Sequence, residues 1–158
     1  GSGDYNWVTI EQVEEVVNVI PPSIQTKYKT KALQSSTALD SNDVEFSDLT
    51  FSNLTVGETY RMTYSIHSET SDGGSSFIDC SIIEKPSDTA LPESRFEFGA
   101  SSHGATLREV SVKSLIVVAS SASYTLKCSK TGQMKFLASS TYLTVEELKN
   151  HIETSDWD

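Results

Sequence analysis

Residues able to do chemistry are sparse along this chain and poorly spaced for it. His67, His103 and His151 stand singly, with no HxH or HExxH spacing that would put two imidazoles on one metal. Ser101-Ser102-His103-Gly104 supplies a hydroxyl and an imidazole but no identifiable base with its orienting acid, and no GxSxG occurs. Glu146 and Glu147 are adjacent, so in a strand they point to opposite faces and cannot share a proton. There is neither a P-loop nor a dinucleotide fingerprint. The acidic loop of Asp40, Asn42, Asp43 and Glu45 could offer hard oxygen ligands to calcium. Its spacing is not that of an EF-hand, and Asx-rich turns use the same residues for backbone hydrogen bonds. The expectation is a protein without catalytic residues, metal or cofactor.

Two further features bear on the cell compartment. Cys80 and Cys128 lack CxxC spacing, and each alternates with apolar residues (Ile78 and Ile82; Tyr124 and Leu126), so both are expected to point inward. Buried cysteines are commonly free, and free thiols are therefore expected over a disulfide. Asn53-Leu54-Thr55 is an N-glycosylation acceptor triplet. It also sits between two alternating runs, where Asn53 and Gly57 would serve a turn. On that reading Asn53 takes the unusual backbone angles, and Leu49, Phe51, Leu54 and Val56 are apolar anchors.

The elements that must position anything functional are mostly strands. One helix is expected in Thr9 to Pro22, with Thr9 and Gln12 as a capping-box pair and Pro21-Pro22 as its stop. Ile10, Val13, Val17 and Ile20 step by three, four and three, the spacing of a coiled-coil seam, and β-branched seams favour trimers or higher forms. An ordinary packed helix would show the same pattern. Beyond Pro22 the period changes to two. Ile24, Thr26, Tyr28 and Thr30 share one face; Tyr60, Met62, Tyr64 and Ile66 point inward, with Arg61, Thr63, Ser65 and His67 outward. Strands near 24–33, 45–51, 58–67, 76–84, 94–99, 106–119, 123–130 and 134–148 indicate an all-β antiparallel sandwich. If successive strands alternate in direction, the first and last share a base. Loops 34–44, 68–75, 100–105 and 130–133 then share the opposite tip. Gly1 to Gly3 reads as a cloning scar, 4–22 as the end of a helical stalk, and 23–158 as the β domain.

Bulk composition narrows the partners. A chain of 158 residues with a net charge of −10 would be repelled by phosphate backbones and anionic lipid, so nucleic acid is not expected. The longest apolar run, Ser114 to Ala119, is too short to insert into a membrane.

Lys27 to Lys31 and the stretch Ser47-Asp48-Leu49-Thr50-Phe51, Asn53-Leu54, Val56-Gly57 and Tyr60-Arg61 resemble the opening strands of C-terminal head domains from phage-type tail fibres. Thr141 to Leu148 is similar to the closing strand of that family. The resemblance implies a C1q/TNF-like jelly roll and a homotrimer at the tip of a fibre, on a virion or an extracellular bacterial fibre, including those of predatory bacteria. It also implies adhesion to a cell-surface glycan or outer-membrane protein. Ser71, Asp72, Gly73, Gly74, Ser102, His103, Lys130 and Gln133 fall on the expected tip and are the receptor-contact candidates. A structural trimerisation cap or a secreted carbohydrate-binding module are the competing readings. The tip loops contain no Trp, which weighs against the module.

Overall fold

The computed structural model describes residues 27–38, 43–71, 73–132 and 134–148, with the side chain of Lys130 also outside the described set. The expected helical segment with Ile10, Val13, Val17 and Ile20, and the candidates Asp72 and Gln133, lie outside the described residues.

Eleven strands and one short 3-10 turn make up the described chain: β1 (Tyr28–Ala32), β2 (Thr37–Ala38), β3 (Val44–Phe51), β4 (Thr59–Thr70), β5 (Ser75–Lys85), β6 (Thr89–Ala90), β7 (Phe96–Ser101), β8 (Leu107–Val118), β9 (Ser123–Gly132), β10 (Met134–Phe136) and β11 (Tyr142–Glu147), with the turn at Pro92–Ser94. The long strands pair as nested antiparallel partners: β1 with β11, β3 with β9, β4 with β8, and β5 with β7. Two further pairings, β11 with β4 and β9 with β5, knit these into two sheets. This is the pattern obtained by rolling up one long hairpin. The chain is an antiparallel jelly roll.

Alternation within the strands puts the apolar set between the sheets. Tyr60, Met62, Tyr64 and Ile66 of β4 are buried as expected, beside Leu143 of the same sheet and in one core with Ile78, Ile82, Tyr124 and Leu126 of the other. Phe46 and Phe136 stack at 5.7 Å between ring centres. β1 departs from this rule, because Tyr28 is 75% exposed on the outer surface, while Lys31 Nζ donates to Thr50 O and lies over the Phe51 ring. An edge strand covers the core from one side only, so its lysine stem can do the work of an apolar residue.

The two cysteines are not free. Cys80 on β5 and Cys128 on β9 are register partners, 4.1 Å apart at Cα, and are joined by a disulfide. Inward alternation was right for both. What it could not supply was the register of two strands separated by 48 residues.

The run expected as one strand over 134–148 divides in two. Ser139 has a positive φ of 68°, and Thr141 Oγ1 accepts the His67 N–H at 3.1 Å in place of a ladder partner. A second interruption occurs where β5 exchanges β7 for β6. There the fully buried Ser94 accepts the Ile82 N–H at 2.8 Å through Oγ, and its carbonyl accepts the Tyr64 hydroxyl at 2.6 Å. Burial, then the nearby Asp79 charge, raises the Tyr64 phenol well above its ordinary value, so it stays a donor at all working pH. Ser94→Ala would strand a buried N–H, and a loss of about 1–3 kcal/mol is expected in denaturant unfolding. An unchanged midpoint would show that Ser94 is not the acceptor that matters.

Candidate functional site

The two ends of the jelly roll differ in kind. At the base, Glu147 N donates to Lys27 O at 2.7 Å and Leu148 N to Thr59 O at 2.8 Å, so the first and last described residues lie side by side. The turn of the glycosylation triplet is at this end, tied to the β8–β9 connection by Leu54 N to Ala122 O and Gly57 N to Ala119 O. Gly57 has φ +93°, as its place in the Thr55–Glu58 turn requires. Asn53 is exposed and is not among the described residues with positive φ, and Val56 is 61% exposed. The unusual angle therefore falls on Gly57 alone, and Val56 anchors nothing.

The opposite end gathers the expected tip loops. Gly73 N donates to Ser102 O at 3.1 Å, and Ser102 N to Gly74 O at 2.9 Å, so the β4–β5 and β7–β8 loops are bonded main chain to main chain. Ser102 is buried, and its hydroxyl donates to Ala105 O; Ser71, Gly73 and His103 are exposed beside it. Gly132 reaches the same place, where a Cβ would lie 1.8 Å from Ser75 O, so β9 can end against β5 only with glycine there. Thus Ser71, Gly73, Gly74, Ser102 and His103 come together. Lys130 is placed differently, within β9 opposite Ile78 and below the turn. Of the acidic loop, Asp43 pairs with Lys127 at 3.3 Å and Glu45 with Lys85 at 3.2 Å, while Asp40 and Asn42 lie outside the described residues.

The outer faces of the two sheets also differ. On the sheet of β1, β11, β4 and β8, every outward charge in register is paired: Arg61 with Glu146 at 3.5 Å, and Glu69 with Arg108 at 2.8 Å and Lys135 at 3.1 Å. Lys135 and Arg108 hold the Glu69 carboxyl below its usual range. Between these end rows the face carries only small or uncharged groups, including hydroxyl pairs Thr30–Thr144 at 2.7 Å and Thr63–Ser114 at 2.9 Å. Along its β8 edge, Val110, Val112, Ile116 and Val118 are 55–62% exposed. None of this stripe was expected from the sequence.

On the sheet of β3, β9, β5 and β7, the outer face holds a shallow open depression of about 270 Å³ lined by Asp43, Asp79, Ser81, Arg95, Lys127 and Ser129. Arg95 donates to both oxygens of Asp79, at 3.0 and 3.2 Å, and also pairs with Glu97. Asp79 first, then Glu97, holds its guanidinium firmly charged.

No family model matches the chain, and no curated protein sequence matches it. Solved structures do. The infectious bursal disease virus Gt strain is 11% identical with a TM-score of 0.50, covering 82% of this chain and 33% of that one. The Gx strain is 12% identical with a TM-score of 0.45, covering 85% and 34%. Eiger TNF from S. frugiperda is 8% identical with a TM-score of 0.48, covering 83% of this chain and 98% of its own. This chain spans about a third of the length of the viral chains it matches. Such identities speak for the fold alone.

Proposed function

We propose that the chain is the trimeric tip domain of a fibre, a non-catalytic adhesin that recognises a cell-surface glycan or protein receptor on a host or prey cell. It would act outside the producing cell, on a virion tail fibre or an extracellular bacterial fibre. The observation that carries this reading is the polarity of the jelly roll. Lys27 and Leu148 lie at one end, and the loops holding Ser71, Gly73, Gly74, Ser102 and His103 meet at the other. A domain attached through its base presents those loops to whatever it meets, which is where recognition on a rigid scaffold commonly sits. The likeness of Lys27–Lys31 and Ser47–Arg61 to fibre heads supports the same reading, as does the uncharged side face in a chain of net charge −10.

Whole-cell binding tests it. Exchanging the exposed positions Ser71, His103, Ala105 and Thr106 for unrelated small polar residues is expected to abolish binding to susceptible cells and leave unfolding unchanged. Undiminished binding would overturn the assignment to the tip.

A further inference from the structure

One exposed aromatic on the outer face of the β5 sheet has no structural duty. Phe77 is 46% exposed, while its neighbour Ile78 fills the core on the opposite side of the strand. Its register partners are Gly99 on β7 and Thr131 on β9, so one flank of the ring has no side chain beside it. Glycine in a strand interior is unfavourable and calls for a reason. Neither backbone angle nor crowding supplies one here: Gly99 has no positive φ, and a Cβ would meet only Ser76 O, at an ordinary 3.5 Å. A larger residue would fit the backbone and would crowd Phe77.

One register step away lie Asp79, Glu97 and Ser129, with Arg95 clamped between the two carboxylates. These border the polar depression, whose lining cations Arg95 and Lys127 are already paired with Asp79 and Asp43. An anionic ligand would therefore have to break an ion pair to find a partner. A neutral ligand with an apolar face and a rim of hydroxyls would not. Its C–H face would cover Phe77, and its hydroxyls would bond the carboxylate oxygens, the guanidinium edge and Ser129.

We infer that Phe77, Gly99 and the Asp79–Arg95–Glu97 cluster form a binding subsite for a neutral pyranose sugar. This rests on the adhesive reading above and narrows its ligand to a class. The site faces away from the uncharged sheet, so association of copies through that sheet would leave it open.

The test is a titration of the purified domain with methyl galactoside, methyl mannoside, methyl N-acetylglucosaminide and N-acetylneuraminic acid, followed in NMR by the backbone amide resonances of Asp79, Glu97 and Ser129, which the variants below retain. At least one neutral glycoside is expected to shift them saturably, and the anionic sugar is not. Phe77→Ala should weaken that binding at least about tenfold. Gly99→Val should do the same with Phe77 in place, while Gly99→Ala should change it little. Because valine suits a strand, unaltered unfolding of Gly99→Val keeps the result interpretable. No shift with any neutral glycoside, or equal binding by Gly99→Val, would overturn the subsite. Whole-cell binding by the unaltered domain separates the two readings: retained binding without sugar binding removes this subsite alone.

Discussion

Replacing both Cys80 and Cys128 with alanine is expected to cost about 4 kcal/mol of stability, the largest effect of any change considered. The bridge closes a loop of 48 residues, and in the chain-entropy account that much freedom returns to the unfolded chain when it is removed. Both sulfurs are buried, so the alanines also leave unfilled space between the sheets. Denaturant unfolding of the oxidised protein and the double variant should differ in midpoint by this amount. Unfolding in the presence of a reductant should move the unaltered protein toward the variant and leave the variant where it is. Thiol titration of the denatured, unreduced chain should find no free thiol. Two titratable thiols, or a midpoint indifferent to reductant, would remove the bridge from the account.

The second large effect is expected on association. The trimeric reading proposed above needs a surface that tolerates burial, and the largely uncharged outer face of the β1–β11–β4–β8 sheet is the one that suits it. Val112→Asp with Ile116→Asp would put one charge into its uncharged part and a second into the end row of Arg61 and Glu146. Both positions are exposed in the single chain, so the domain itself should lose no more than about 0.5 kcal/mol. Buried against a neighbour, the same charges meet apolar surface and their own copies, at several kcal/mol per interface. Light scattering should therefore find a smaller species with unchanged unfolding of the monomer. Val112→Lys with Ile116→Lys should act alike although it lowers the chain's net negative charge, which separates desolvation from simple acidic repulsion. Unchanged mass in both variants would place association elsewhere.

Much of this architecture was legible because it depends on period. Tyr60, Met62, Tyr64 and Ile66 alternate with polar residues, so β4 has one unambiguous inward face. Strand parity then predicted which connections meet, and the bonds between Gly73, Gly74 and Ser102 bear out two of them. The missed features are those for which both faces carry similar residues. In β8, Val110 and Val112 stand on one face and Leu115 and Val117 on the other, and hydrophobicity cannot choose between them. Phe77 and Ile78 pose the same ambiguity at β5. The disulfide depended on register between distant strands, and the break after Phe136 depended on a threonine hydroxyl replacing a backbone partner. Each of these is fixed by tertiary pairing and not by local pattern.

The bonds between the tip loops have one more consequence. They run from Gly73 N to Ser102 O and from Ser102 N to Gly74 O, through main-chain atoms alone. Among the described residues, the side chains of Ser71, His103, Ala105 and Thr106 make no hydrogen bond within that frame. They can change in size, charge or hydrogen-bonding capacity while the loops keep their shape, provided Gly73 and Gly104 retain their left-handed angles of 74° and 84°. Such a surface can diversify quickly under selection without a toll on folding. A library randomised at those four positions should yield new specificities from folded proteins.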